Sequence, residues 1–215
     1  MPSPDRGGAG AAAGAAAAQG RRGPGRPRAE GHDERLIDAA LALIDAGEHV
    51  TAGRLVERSG VSRAAIYRRW PSLADLVATA LDRGREPLVI PTDGDLRVAL
   101  FGAFVEGLER AVPGYPEARM RRRLVLGLED RALQRAYWEA HVARRRVATV
   151  GALRVGMERG VLRGDLDPEA CADLLSGVIY YQIVVRGEPL SQPSAVARCR
   201  AAFDVIWRGM EAAPT

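Results

Sequence analysis

The chain has 215 residues, 47% of them hydrophobic, which is enough for one large core or two small ones. All 31 basic residues are arginine and the net charge is only +4, so bulk charge does not mark a nucleic-acid binder. No apolar run reaches the ~18 residues of a membrane span, and two cysteines are too few for a disulfide framework; a membrane-spanning chain and a disulfide-stapled secreted domain are both set aside, and a cytoplasmic protein is expected.

Residues 1–30 are mostly Pro, Gly and Ala and cannot bury enough apolar surface to fold, so they read as a disordered arm. The Ala/Gly tract 9–18 is too weakly hydrophobic for a signal-peptide core. Arg21, Arg22, Arg26 and Arg28 follow it with no acid among them, a cluster able to neutralise phosphates. Residues 31–85 read as a first folded domain. Leu36, Ala40, Leu43 and Ile44, with Ile37 and Leu41, give one apolar face to a helix over 33–46. Thr51 is placed to cap a second helix, 52–59, and Gly60 supplies a tight turn. Ser62 caps a third helix reaching Arg69, with Ile66 and Trp70 facing the other two. Ser72 and Asp75 form a capping-box-like start for a fourth helix running to about Arg85.

Two short helices joined by a glycine turn are the layout of a helix-turn-helix, whose second helix enters the DNA major groove. Helical spacing puts Arg63, Ala64, Tyr67 and Arg68 on its outer side with Arg69 at the flank, and leaves Val61 and Ile66 for the core. Arg63 sits near the helix N-terminus, where a bidentate contact to guanine is the expected role. A solvated basic face is the bland alternative, and for Arg68 the two stay equally open.

Residues 86–215 carry five further helical patterns, at 95–112, 117–128, 130–159, 168–186 and 194–211, separated by Pro and Gly. There is no strand alternation and no repeat, so the expected fold is all-α with about nine helices: an N-terminal helix-turn-helix domain and a C-terminal helical domain. The stretch 174–185, LLSGVIYYQIVV, is apolar on nearly every side. Paired with the amphipathic last helix it suggests a two-fold interface involving Leu174, Val178, Ile179, Tyr181, Val196, Phe203 and Trp207. Burial within one subunit is the alternative. Cys171 and Cys199 read as small buried hydrophobes, and His32, His49 and His141 are scattered; no metal site, no catalytic group and no cofactor is expected.

Gly25-Arg26-Pro27-Arg28, the run 33–46, Gly60-Val61-Ser62 and Ile66-Tyr67-Arg68-Arg69-Trp70-Pro71-Ser72 together resemble the N-terminal domain of TetR-type (tetracycline-repressor-like) transcriptional regulators, over roughly residues 25–85. The resemblance implies a homodimer that binds a palindromic double-stranded DNA operator and is released by a small-molecule effector. It carries DNA contact onto Arg63, Ala64, Ala65, Tyr67 and Arg69, with Thr51 and Tyr67 donating to phosphates and Ser62 opening the reading helix. It places an effector pocket in the C-terminal domain, where Phe101, Phe104, Leu108, Tyr137, Trp138 and His141 are candidates; Trp138 and His141, three apart, are expected to face one cavity. Core packing is the competing role for each. The Arg26–Arg28 arm is open to minor-groove insertion, to phosphate contact or to no contact. One departure stands out: the family usually has Lys at the position of Leu73, where it meets the DNA backbone. An all-α ligand-binding protein or enzyme that does not read DNA is the rival reading, and no P-loop, nucleophile elbow or zinc-protease motif supports it.

Overall fold

In a computed structural model, residues 30–85, 87–107 and 116–213 are described. The arm with Arg26 and Arg28, and Leu108 of the expected pocket, lie outside them. Helix α1 (Glu30–Asp45) buries Leu36, Ala40, Leu43 and Ile44. It stops at Gly47, whose φ of 73° lets the Glu48 N–H return to Leu43 O at 2.9 Å. Helix α2 (Ala52–Ser59) starts where the Thr51 hydroxyl accepts from Arg54 N, and α3 (Arg63–Arg69) where the Ser62 hydroxyl accepts from Ala65 N. Helix α4 (Leu73–Asp82) opens on a complete capping box: Asp75 N donates to Ser72 Oγ, and Asp75 Oδ2 accepts from Ser72 N. It ends three residues short of the expected Arg85. Leu36, Leu43, Leu55, Val61, Ile66 and Leu76 form the core of this four-helix unit.

The C-terminal domain follows. Helix α5 (Leu96–Phe101) widens into a π-helical turn, Gly102–Glu106, and α6 spans Glu117–Glu129. Helix α7 runs from Arg131–Tyr137 through a π-turn at Trp138–Val142 and on as Ala143–Glu158. Asp167 caps α8 (Pro168–Tyr180), which loosens into a third π-turn at Tyr181–Arg186, and α9 spans Pro193–Met210. Among the described residues this makes nine helices and no named strand. Leu96, Leu100, Leu153, Leu162, Leu175 and Phe203 are central to the core. A third cluster joins the two domains: Ile44 of α1 and Val77, Ala78 and Leu81 of α4 pack on Leu133 and Tyr137 of α7.

The last two helices correct one expectation. Phe203 and Trp207 are only 2% and 4% exposed, and both belong to the protomer's own core. Phe203 meets Phe101 edge-on at 5.3 Å and stacks on Trp207 at 6.3 Å. Val196 is half-buried against the same core. Phe203 and Trp207 are thus spent inside their own subunit and leave little surface for a partner.

The Gly60 turn is where sequence dictates geometry most directly. Its φ is 68°, and an added Cβ would meet only the Arg35 guanidinium, at 3.9 Å. Space is not limiting, so Gly60→Ala should cost only the strain of a left-handed backbone, about 1–2 kcal/mol in urea unfolding. Gly60→Asn should cost less, because Asn tolerates this region. Equal midpoints for all three chains would show that the turn relaxes freely.

Candidate DNA-reading surface

Around Gly60 the backbone is held by side chains. Ser59 Oγ donates to Leu55 O at 2.6 Å and accepts from Val61 N at 3.1 Å, while Val61 is 2% exposed in the core. These contacts set where α3 begins, and Ile66, fully buried, sets its rotation. Arg63, Ala64, Tyr67 and Arg68 then face solvent together, with Tyr67 47% exposed. Ala65 does not join them. It is 7% exposed and packs in the core, because it is one residue before Ile66 on the inward side of a short helix.

Arg69 sits apart from the other arginines. Its guanidinium pairs with Asp33 of α1, which ties the end of α3 back to the first helix. Beyond it, Trp70 Nε1 donates to Thr79 Oγ1 at 3.3 Å, and Thr79 Oγ1 donates to Asp75 O at 2.8 Å, fixing α3 to α4. At the other end Thr51 is exposed, and its hydroxyl spends an acceptor site on the Arg54 amide at 3.3 Å. The hydroxyl proton is left to donate outward. Arg54 and Arg58 lie close by and share Glu48, at 2.9 and 3.7 Å. Leu73 is half-buried against the helix-turn-helix core.

The expected effector residues do not form one cavity. Trp138 is 48% exposed, whereas His141 is 8% exposed and faces α4. A π-turn spans both, and its wider turn rotates residues three apart off a common face. Phe101 and Phe104 are half-buried against the C-terminal core. Phe104, Leu175, Ile179, Cys199 and Phe203 border a crevice of about 10 Å³, room for one water molecule. Burial pushes the thiols of Cys171 and Cys199 up, which suits inert packing.

Tyr137 and His141 meet a residue that sequence reading missed, Asp82 at the end of α4. His141 Nδ1 lies 2.6 Å from Asp82 Oδ2, and the Tyr137 hydroxyl donates to Oδ1 at 3.4 Å. Burial alone would raise the Asp82 carboxyl. The short contact from His141 and the charges of His141, Arg145 and Arg85 outweigh it and hold the carboxyl below its usual value. Only a lone acid near a helix end hinted at this in the sequence.

A recognition helix held by a glycine turn on a four-helix unit, joined to a larger all-α body, defines a helix-turn-helix DNA-binding regulator. Comparisons agree. Residues 36–80 match the family of bacterial regulatory proteins, tetR family, and residues 90–202 match the tetracyclin repressor-like C-terminal domain. The chain belongs to the TetR family of transcriptional regulators. It is 30% identical to the HTH-type transcriptional regulator YdeS of Bacillus subtilis (strain 168) over 174 residues, covering 78% of this chain and 85% of that one. It is 28% identical to the regulator Rv1556 of Mycobacterium tuberculosis (strain H37Rv), covering 77% and 82%. The TetR family transcription regulator SCO0332 superposes with a TM-score of 0.56 at 27% identity, over 81% of this chain and 97% of that one.

Asp82 also makes a pH prediction. Its carboxyl is held lower in the folded chain than in the unfolded one, so its stabilisation is present above the unfolded value and is lost as pH falls through the folded value. Asp82→Asn should therefore be less stable at neutral pH, and the gap should close on acidification. A constant gap in unfolding free energy across an acid series would rule this out.

Proposed function

We propose that this regulator is a homodimeric repressor that grips a palindromic operator with two α3 helices and lets go when a small-molecule effector binds its C-terminal domain. The carrying observation is an apolar strip left uncovered on the last two helices. Leu174, Tyr181, Val184 and Val185 on α8 are 50–63% exposed, and Val205 on α9 is 66% exposed. Ala201 and Ala197, one and two turns before Val205, are exposed beside it. Contiguous apolar surface of this kind is an association site in a soluble chain. Small residues on one helix facing large ones on the other suit a two-fold four-helix contact. Val178 and Ile179 sit at its inner edge, half-buried.

In such a dimer the outer faces of the two α3 helices enter successive major grooves about one helical turn apart. Arg63 and Arg68 are exposed and make no ion pair among the described residues, so both are available to DNA, and Arg63 is assigned the base contact. Tyr67, Thr51 and Ser62 are assigned to phosphates, and Ala64 to close approach. Arg69 is withdrawn from base reading because Asp33 engages it. The arginine arm, Arg26 and Arg28, is assigned to the duplex flanking each half-site. Effector binding requires the crevice beside Phe104 and Ile179 to widen, since it now holds no more than a water.

Arg63→Ala should relax discrimination at one or two positions of each half-site, costing about 1–3 kcal/mol of specific binding. Tyr67→Phe should weaken all sequences alike, because a phosphate carries no sequence information. Binding to a randomised operator library separates the two; uniform loss in Arg63→Ala would reassign it to the backbone.

Leu174→Glu and Val205→Glu place charges on the exposed strip, where the protomer's own core is untouched. Each should give folded monomers in sedimentation and lose operator binding. A dimer that sediments as the parent chain does would sink the interface assignment.

A further inference from the structure

The seam between the two domains holds a buried polar cluster that neither DNA contact nor dimerisation uses. It assembles from four segments. Asp82 is the last residue of α4, and Arg85 follows just after it. Tyr137 closes the first segment of α7, and His141 lies in the π-turn that comes next. Arg123 comes from α6 and Tyr180 from the end of α8. Both Asp82 oxygens are engaged, Oδ2 by His141 Nδ1 at 2.6 Å and Oδ1 by the Tyr137 hydroxyl at 3.4 Å. Arg85 donates to that same hydroxyl at 2.9 Å. The Arg123 guanidinium covers the Tyr137 ring at 4.6 Å and reaches the Tyr180 hydroxyl at 3.5 Å. Tyr137, Arg123 and His141 are each less than a tenth exposed.

Three features separate this cluster from ordinary packing. First, it adds direction to the apolar contact beside it, Ile44, Val77, Ala78 and Leu81 against Leu133 and Tyr137. Apolar contact is non-directional, whereas a carboxylate met at both oxygens is held to a narrow range of positions. Second, His141 occupies a π-turn, a costly irregularity that recurs at functional positions. That turn brings the imidazole inward while Trp138, three residues earlier, stays in solvent. Third, the cluster is under-satisfied. The short Nδ1 contact is poorly aligned as a hydrogen bond, and Nε2, on the other edge of the ring, is buried with no hydrogen-bond partner among the described residues. A buried polar group in that condition calls for a reason beyond packing.

We infer that Asp82, His141 and Tyr137 are positioning residues for DNA binding: they lock the end of α4, and so the angle of the helix-turn-helix unit, to the C-terminal body. The lock acts at a distance. Helix α4 is bound at its start to α3 through Trp70 and Thr79, so a shift at Asp82 is carried to the reading helix by a rigid rod of ten residues. The unpartnered edge of His141 faces away from Asp82.

The test measures the angle directly and operator binding separately. Spin labels at Glu57→Cys on α2 and Arg154→Cys on α7, both exposed positions, report the inter-domain distance within one chain. Cys171 and Cys199 are buried and stay unlabelled. Labelled chains are diluted into unlabelled ones, so the distance does not depend on whether the protein dimerises. His141→Phe keeps ring volume and removes both nitrogens; Asp82→Asn keeps shape and removes the charge; His141→Asn keeps an amide donor near the position of Nδ1. The full chains carrying His141→Phe and Asp82→Asn should fold, show a broadened or shifted distance distribution, and bind operator about fivefold or more weakly. His141→Asn should restore the parent distribution and most of the affinity.

An unchanged distance distribution in folded His141→Phe and Asp82→Asn would overturn the inference. So would a series in which affinity merely follows thermal stability, with no rescue by His141→Asn. This inference rests on the repressor reading only for its affinity readout. If the dimeric reading fails, the intramolecular distances still decide whether the lock exists.

Discussion

Helix α4 belongs to two cores at once, and that constraint organises the molecule. Leu76 and Ala80 close the helix-turn-helix core, while Val77, Ala78 and Leu81, on the neighbouring side, pack against α7 across the domain seam. A ten-residue helix is a stiff rod about 15 Å long, so it cannot satisfy both sets of contacts in more than a narrow range of orientations. The capping box at one end and the Asp82 contacts at the other pin it further. Recognition in α3 is therefore not a property of α3 alone. The reading helix has seven residues, too few to be stable in isolation, and its direction is inherited from α4 through Trp70.

The use of arginine follows from this frame. A chain whose only strong cation is arginine has no separate residue for structure and for recognition, so placement must do the sorting. Arg83 is taken up by Glu34 and Asp38, Arg119 by Asp45, Arg146 by Glu169 and Asp173, and Arg198 by Glu188. Most of these pairs are partly solvated and contribute little stability each. Their larger effect is to neutralise arginines that would otherwise compete for phosphate. Arg63 and Arg68 lie on α3, which itself carries no acid, and neither is in an ion pair among the described residues. A net charge of +4 thus conceals a concentrated cationic face.

What the sequence made legible, and what it hid, divides along one physical line. Local chemistry was readable: Thr51, Ser62 and Ser72 all cap where their side chains said they would, and Gly60 takes the left-handed turn. Periodicity gave the buried faces of α1 and α9 correctly, but a buried face does not name its partner. Phe203 and Trp207 were apolar and aligned, and nothing local distinguished their own core from a second subunit's. The π-turns were unreadable for a different reason. They shift the phase of a helix without changing its composition, so Trp138 and His141 kept helical spacing on paper and lost it in space. Asp82 was hidden because its partners lie more than fifty residues away in the chain.

The departure at Leu73 gains a physical account from the same helix. Resemblance leads one to expect a basic residue at the start of α4, touching the DNA backbone. Leu73 is instead turned half into the core, beside Val61 and Ile66 in the same cluster. Ser72 does not stand in for it, since its hydroxyl both accepts from Asp75 N and donates to Asp75 Oδ2 at 2.7 Å. The Asp75 carboxylate also offsets the positive end of the helix that would otherwise attract a phosphate. This end of α4 is therefore built to hold α3 in place and not to grip DNA. On the proposed reading, backbone anchoring comes from elsewhere on the same unit, and the exposed hydroxyls of Thr51 and Tyr67, at either side of the Gly60 turn, are the donors assigned to it.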